Sequence, residues 1–270
     1  MEDFHRAGGL RTVLRELRPM LHSDALTVTG RTLGEELDAA PPAFPQEIVR
    51  PRGQPIHAGG GIAVLRGNLA PGGAIIKQSA ASPPLLEHEG RAVVFENAVD
   101  LASRIDDPTL DVTASDVLVL KSIGPVGAPG MPEAGYLPIP VKLARQGVKD
   151  MVRISDGRMS GTAMGTIVLH VTPESAIGGP LAIVRTGDRI RLSVENRSLS
   201  LLVSDTEIAA RLAAIGPAQK ISAGRGYRKL FLETVTQADQ GCDFAFLRAV
   251  EMKAVTPVIR DPARPGGKKR

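Results

Sequence analysis

The chain has 270 residues, of which 43% are hydrophobic and 23% charged, a composition that is typical of a folded globular protein and excludes an intrinsically disordered one. Its net charge is +4, and the last eleven residues account for all of it with five basic side chains and one acidic one. The absence of a basic helix with interleaved aromatic residues argues against a nucleic-acid-binding protein. The sequence has no apolar run of membrane-spanning length and no signal-peptide pattern, so we expect a cytoplasmic protein.

The sequence contains one cysteine, Cys242, and this excludes an internal disulfide. One thiol is also too few to hold an iron–sulfur cluster or a zinc site of several thiolates. We interpret Cys242 as a half-buried structural thiol rather than a reactive one. None of the five histidines has the spacing of a metal site, and His170 lies in a strand-like Val-Leu-His-Val segment, where a core or interface histidine is expected.

The N-terminal segment is predicted to be helical. Apolar residues recur at helical spacing from Leu10 to Leu17, and Pro19 ends the pattern. A second short helix is predicted over residues 32–37. The following residues, 41–58, are rich in proline and have the composition of an extended linker, which indicates a domain boundary.

Beyond the linker the pattern changes to that of short strands. Strands are predicted over residues 62–65, 74–77, 91–95, 117–120, 151–154 and 166–171, followed by a hairpin that turns at residues 196–197. Helices are predicted over residues 98–105 and 140–146. So many short strands with few helices between them favour a mixed α and β fold, with a barrel-like sheet and flanking helices rather than a doubly wound parallel sheet.

Two glycine-rich segments carry the clearest functional pattern. Residues 124–133 read Gly-Pro-Val-Gly-Ala-Pro-Gly-Met-Pro-Glu, and residues 154–162 read Ile-Ser-Asp-Gly-Arg-Met-Ser-Gly-Thr. The first lacks the Gly-Lys-Ser/Thr ending of a phosphate loop, and the second is not the Gly-x-Ser-x-Gly elbow of a hydrolase. Without further context, Ser160 would be a loop serine, Thr162 a helix N-cap and Glu133 a solvated carboxylate.

Together the two segments resemble the C-terminal active-site signatures of the dihydroxy-acid and sugar-acid dehydratases, a family of iron–sulfur enzymes. The resemblance extends from Met1 to about Leu247. It implies a β-barrel domain with flanking helices, similar to the swivelling domain of aconitase, which agrees with the strand pattern. It also implies a hydro-lyase that converts dihydroxy acids or sugar acids into 2-keto or 2-keto-3-deoxy acids, with Ser160 as the catalytic base, Thr162 in contact with the substrate and Glu133 as a Mg²⁺ ligand.

This reaction removes a weakly acidic proton beside a carboxylate and expels hydroxide, so it needs a strong base and a Lewis acid. The resemblance implies that a cluster iron takes the leaving hydroxyl and that Mg²⁺ holds the carboxylate end of the substrate. An ordinary serine is far too weakly acidic to serve as the base, so metal charge and backbone amides must stabilise its alkoxide. Gly157 and Gly161 would let the backbone fold closely around the Ser160 oxygen.

The sequence also departs from the family. The resemblance implies a cluster bound by three N-terminal cysteines, and Mg²⁺ bound by aspartates and a carbamylated lysine, but none of those motifs occurs here. The first residues resemble the middle of a full-length enzyme, so we expect a C-terminal half that is inactive alone. Its expected parts are a helical tail of the cluster domain over residues 1–40, the linker over 41–58, the barrel domain over 59–250 and a basic, disordered tail over 251–270.

Two hypotheses remain open. The chain is either the base-carrying half of a dehydratase, whose partner is a separate cluster-bearing half and whose complete form is a homo-oligomer, or a non-catalytic remnant or binding module. Retention of both Glu133 and Ser160 favours the first hypothesis. Met159 and Thr162 resemble the pentonate dehydratases, and so favour a sugar acid over 2,3-dihydroxy-3-methylbutanoate, the dihydroxy-acid dehydratase substrate of branched-chain amino acid synthesis.

Overall fold

The structure is a computed structural model of the chain. It has two units, one comprising Met1–Ala63 with Lys77–Ala80 and the other comprising Val64–Ile76 with the chain from Ala81 onward. The predicted tail over residues 251–270 lies outside the described residues. The structure describes residues 1–41, 44–133, 137–158, 164–216, 221 and 223–248.

The first unit contains three short helices, α1 (Glu2–Arg6), α2 (Gly9–Leu17) and α3 (Leu33–Asp38). Helix α2 has the bounds that the apolar spacing and the following proline predict. Helix α3 begins at a capping box, in which the Thr32 hydroxyl accepts the Glu35 backbone N–H and the Glu35 carboxylate accepts the Thr32 N–H. This reciprocal pair satisfies two backbone donors at the helix start, which explains why so short a helix forms.

Eight strands, counted within the described residues, close into a barrel in the order β1-β2-β6-β5-β4-β3-β7-β8. The predicted barrel with flanking helices is therefore confirmed. The strands are β1 (Ala63–Gly67), β2 (Ala70–Ile76), β3 (Glu87–Phe95), β4 (Val117–Leu120), β5 (Arg153–Ser155), β6 (Ile167–Thr172), β7 (Arg189–Ser193) and β8 (Ser198–Leu201).

Four neighbouring strands of the barrel, β3 to β6, run parallel to one another. Phe95 on β3 pairs with Leu120 on β4, which in turn pairs with Ser155 on β5, so these strands end in register. Strands β2 and β6, β3 and β7, and β7 and β8 pair in antiparallel fashion, while β1 meets β8 in a short parallel contact that closes the barrel. Consequently the carboxyl ends of β3 to β6 all lie at one rim of the barrel.

The predicted hairpin is confirmed, since β7 and β8 are antiparallel neighbours, and its turn covers residues 194–197 between the paired Ser193 and Ser198. Strand β3 is longer than predicted and begins at Glu87 instead of residue 91. Its polar first half is stabilised by the neighbouring strand, because Arg189 and Arg191 on β7 both form ion pairs with Glu89. Cross-strand charge pairing of this kind contributes to sheet stability but leaves no apolar alternation in the sequence.

The flanking helices are α4 (Ala98–Arg104) and α5 (Val141–Arg145), both as predicted, and α6 (Asp205–Ile215) and α7 (Gly226–Thr234), which were not predicted from the sequence. No helix in the described ranges has the length and apolar character needed to cross a membrane. A core of buried, mostly aliphatic residues joins the barrel to α4, α5 and the segments beside them. It comprises Val93, Phe95, Leu101, Ile105, Val112, Leu118, Leu120, Ile123, Leu137, Leu143 and Met151.

Candidate functional site

The described parts of the two glycine-rich signatures, residues 124–133 and 154–158, lie side by side at the rim where the parallel strands end. The first, residues 124–133, follows β4, and the second, which begins at residue 154, leaves the end of β5. Because β4 and β5 are parallel neighbours, segments separated by more than twenty residues in sequence emerge at the same edge. The carboxyl ends of parallel strands are a common position for ligand sites in α/β proteins.

Asp156, in the second signature, ties the chain segments at this rim together. Asp156 is 1% exposed. Its carboxylate accepts hydrogen bonds from the backbone N–H groups of Ser122 at 3.3 Å, Ile123 at 3.0 Å and Ser175 at 2.9 Å. The Ser175 hydroxyl also donates to it at 2.5 Å. One buried carboxylate therefore joins the ends of β4 and β5 to the segment that follows β6.

Glu174, just beyond β6, is a second buried carboxylate behind the first signature. It is 1% exposed, and its oxygens accept the backbone N–H of Val126 at 2.9 Å, the N–H of Gly127 at 2.9 Å and the side-chain amide of Gln237 at 2.7 Å. Burial raises the pKa of Glu174 above its ordinary value, and these hydrogen bonds oppose that rise.

Arg158 connects the two signatures at the surface of the rim. Its Nε donates to the Met131 carbonyl at 2.6 Å, and its Nη1 lies 3.4 Å from Oε1 of Glu133. The Arg158 and Glu133 side chains are 44% and 50% exposed, so this ion pair contributes little to stability. Its importance lies in position, since it places Glu133 beside Arg158, which is three residues after the end of β5 and two residues before Ser160 in the sequence.

His170 borders the second signature from strand β6. Its backbone N–H donates to the Gly157 carbonyl at 3.1 Å, and its φ of 55° is in the left-handed region. Burial, and then the positive charge of Arg158, lower the pKa of His170, while its Nδ1 is buried and has no hydrogen-bond partner in the described part of the chain. His170 and Cys242 line a pocket of about 450 Å³, and Sγ of Cys242 lies 3.4 Å from the sulfur of Met131.

The predicted site residues have different outcomes. Glu133 lies at the rim, exposed and beside the second signature, whereas Ser160 and Thr162 lie outside the described residues, so their roles stay predictions. Asp156 and Glu174 were not predicted from the sequence. Asp156 is part of the signature string, but nothing in the sequence around Glu174 indicates that its carboxylate is buried under the first signature.

The residues that the structure describes do not by themselves fit either metal group that the family resemblance implies. Mg²⁺ requires about six oxygen ligands, and Glu133 offers one carboxylate that already faces Arg158. The oxygens of Asp156 and Glu174 accept backbone N–H groups instead. In the described ranges no group of three or more His, Cys, Asp or Glu side chains is arranged to hold a metal ion, and a cluster would find one cysteine in the whole sequence.

Comparison with known proteins identifies the family of this chain. Residues 47–242 match the family model described as Dihydroxy-acid/6-phosphogluconate dehydratase C-terminal. The chain belongs to this dehydratase family. Residues 1–36 match the model of the N-terminal domain of the same family. The family resemblance inferred from the two signatures is thus confirmed.

Several relatives are named for sugar-acid substrates. The chain is 54% identical to L-arabonate dehydratase of Azospirillum brasilense over 92% of its own length and 44% of that protein. It is 49% identical to 6-deoxy-6-sulfo-D-gluconate dehydratase of Pseudomonas putida, over 96% and 45% of the two chains. It is 41% identical to dihydroxy-acid dehydratase of Dehalococcoides mccartyi, over 90% and 43%. The chain therefore spans less than half the length of these relatives.

Proposed function

We propose that this chain provides the barrel domain of a hydro-lyase that dehydrates sugar acids to 2-keto-3-deoxy acids. The observation that carries the proposal is the contact of Arg158 with both Met131 and Glu133, in a chain of the dehydratase family. This contact brings the two signatures together at the rim of the barrel. The proposed mechanism needs such a site, because the proposed base, Ser160, belongs to the second signature and the proposed metal ligand, Glu133, belongs to the first.

In the proposed reaction Ser160 removes the proton beside the substrate carboxylate. Gly157, three residues before it, lies so close to Ile123 that this position has no room for a side chain. Thr162 is proposed to contact a substrate hydroxyl. Glu133, exposed at the rim, is proposed as the one Mg²⁺ ligand that this chain would contribute.

The cofactors proposed for the complete enzyme are Mg²⁺ and an iron–sulfur cluster, with most of their ligands outside these residues. When bound, they would supply Lewis-acid stabilisation of the negative charge that develops on the substrate and on the departing hydroxide. The chain is accordingly proposed to be inactive until it is joined to a cluster-bearing domain. That domain would lie either on a separate chain or on the same polypeptide.

A sugar acid is favoured over a branched-chain dihydroxy acid by the degree of identity to the two groups of relatives. The three relatives whose names specify a sugar acid are 48–54% identical to the chain, whereas the dihydroxy-acid dehydratases are 38–41% identical over a similar span. Met159 and Thr162 point in the same direction. The proposed substrate class is therefore pentonic acids and related sugar acids.

The test is turnover of pentonic acids by this chain joined to the cluster-bearing domain of a relative. Ser160→Ala is expected to lower kcat by ~10²–10⁴, the usual contribution of a general base, with unchanged cluster absorbance. Ser103→Ala, on the exposed side of α4, is the matched control and is expected to have no effect. Glu133→Gln is expected to raise the Mg²⁺ concentration needed for half-maximal rate.

Two results would refute the assignment. An active enzyme in which Ser160→Ala keeps wild-type turnover would exclude Ser160 as the base. An enzyme with a loaded cluster that binds pentonic acids but never dehydrates them would instead support a binding module, the second hypothesis raised by the sequence.

A further inference from the structure

The Glu174 carboxylate is buried against the backbone of the first signature. Both of its oxygens lie within 3.1 Å of the Val126 backbone nitrogen, and one lies 2.9 Å from the Gly127 nitrogen. Two consecutive backbone N–H groups thus converge on one carboxylate. An arrangement of this kind fixes the orientation of two successive peptide groups, and so the path of the chain that follows them.

Gln237 holds this carboxylate in place from the other side. Its side-chain Nε2 donates to Glu174 Oε1 at 2.7 Å, and its Oε1 accepts the Glu174 backbone N–H at 2.9 Å. The amide of Gln237 therefore satisfies both a side-chain oxygen and a main-chain nitrogen of the same residue. Glu174 has little freedom to rotate away from the signature.

Two glycines of the first signature have no room for a side chain. A Cβ atom at Gly124 would lie 2.5 Å from Glu174 Oε2, and one at Gly127 would lie 2.8 Å from the backbone of Ser122. The Glu174 carboxylate can approach the backbone at Gly124 so closely because that position has no side chain. Gly127 is required instead by the close approach of the loop to Ser122.

Keeping an ionised carboxylate at 1% exposure is costly, since burial penalises the charged form, and the nearby charge of Asp156 adds to that cost. An apolar residue of similar size would fill the same space without this penalty. An apolar residue could not accept the Val126 and Gly127 N–H groups, which would then be buried without hydrogen-bond partners.

We propose that Glu174 is a positioning residue, which holds the signature loop over residues 122–130 in the conformation that places Glu133 beside Arg158. Glu174 would touch neither substrate nor metal. Its consequence for turnover rests on the proposed function, whereas its effect on the loop does not.

The test is amide hydrogen exchange in the full chain, resolved by NMR at Val126 and Gly127. Glu174→Gln has one acceptor oxygen, and its amide group opposes that of Gln237, so exchange at the two positions is expected to rise about tenfold, the factor for losing a hydrogen bond to a charged group. In the double variant Glu174→Gln/Gln237→Glu the carboxylate and amide are exchanged and every donor regains an acceptor. Exchange at both positions is expected to return close to the wild-type rate.

The matched control is Asp150→Asn, at another buried carboxylate, which accepts N–H groups from Ser82 and Thr166 and lies outside the two signatures. It is expected to lower global stability without a selective rise at the two signature amides. If Glu174→Gln fails to fold, Gln237→Met takes its place, because it keeps the carboxylate and removes its support. This variant is expected to raise exchange at the same amides by a smaller factor.

The positioning role would be overturned by unchanged exchange at Val126 and Gly127, by a rise spread evenly over the chain, or by failure of the double variant to reverse a selective rise. In the enzyme joined to a cluster-bearing domain, Glu174→Gln is expected to lower kcat and raise the Mg²⁺ requirement, both restored by the double variant. If the joined enzyme carries a loaded cluster but never dehydrates pentonic acids, the proposed function fails while the exchange result still decides the role of Glu174.

Discussion

Close packing at the rim leaves no room for a side chain at Gly157. A Cβ atom at Gly157 would lie 2.4 Å from Cδ1 and 2.5 Å from Cγ1 of Ile123, a core residue that is 2% exposed. We therefore predict that Gly157→Ala lowers the free energy of unfolding by about 1–3 kcal/mol, the usual cost of overpacking. Urea denaturation of the full chain measures this change.

Two further variants make the Gly157 prediction specific. Gly224→Ala, where an added Cβ has no neighbour within 4 Å, is the control and is expected to leave stability nearly unchanged. In the double variant Gly157→Ala/Ile123→Ala the clashing atoms are removed, so the alanine at position 157 should add little to the cost of the Ile123 cavity. Additive losses in the double variant would show that the cost of Gly157→Ala arises elsewhere.

His170 gives a prediction about pH. Its pKa is lowered in the folded chain, so below the ordinary value of about 6.5 the unfolded chain binds more protons than the folded one. By linkage, stability then rises with pH up to about 6.5 and falls as the pH is lowered through that window. We predict that the wild type loses stability relative to His170→Asn between about pH 7 and pH 5, because asparagine tolerates the left-handed backbone and does not titrate.

Urea denaturation of both proteins across this range measures the difference, and NMR titration of the imidazole gives the pKa directly. The comparison of two proteins is needed because carboxylates also titrate towards the acid end of the range. A difference in stability that does not change with pH would contradict the prediction, as would an imidazole that titrates at or above its ordinary value.

Among the secondary-structure elements, those with a repeating pattern of apolar residues were predicted from the sequence. Those stabilised by single contacts between residues distant in sequence were missed. Strand β4 and the β7–β8 hairpin were predicted because apolar runs and alternation mark them directly. The first half of β3 was missed because Glu89 is stabilised by arginines of another strand. Asp156 belongs to the second signature, but its structural role could not be predicted from the sequence, and nothing in the sequence pointed to Glu174. The burial of both carboxylates depends on which strands are neighbours in the barrel.

Helix α6 illustrates such a contact. The Arg211 guanidinium on this helix forms two hydrogen bonds with Asp188 before β7, at 2.6 and 3.2 Å, and the two side chains are 11% and 10% exposed. Removing one partner of a nearly buried pair leaves the other charge without compensation. We predict that Arg211→Met lowers the free energy of unfolding by about 3 kcal/mol in urea denaturation.

The exposed pair of Arg189 and Glu89 is the matched comparison for this prediction, and Arg189→Met is expected to cost less than about 1 kcal/mol. In Arg211→Met/Asp188→Asn the stranded charge is gone, while the asparagine can still accept the Arg185 N–H. This double variant should be more stable than Arg211→Met alone. If it is less stable, Asp188 stabilises the fold independently of Arg211.

At the scale of the whole molecule, the barrel rim proposed as the site is held in shape by hydrogen bonds to buried carboxylates. The buried carboxylates of Asp156 and Glu174 are saturated by backbone N–H groups of the rim, so they shape the signatures without competing for a cation. Glu133 is the exposed carboxylate at this rim, held near Arg158. This contrast between buried structural carboxylates and the exposed Glu133 is consistent with the proposed role of the domain. In that proposal the domain provides one metal ligand and the base, and the other metal ligands come from the cluster-bearing domain.

The chain as a whole should therefore purify without a cluster. One cysteine among 270 residues cannot bind an iron–sulfur cluster, and Cys242 is half-buried, with burial raising the pKa of its thiol and so disfavouring the thiolate that iron requires. We predict a colourless protein without stoichiometric iron or sulfide after anaerobic expression and reconstitution, measured by absorbance and by iron and sulfide analysis. Cys242→Ser should be indistinguishable from the wild type, whereas a brown wild type that loses its colour in this variant would place a cluster ligand at Cys242.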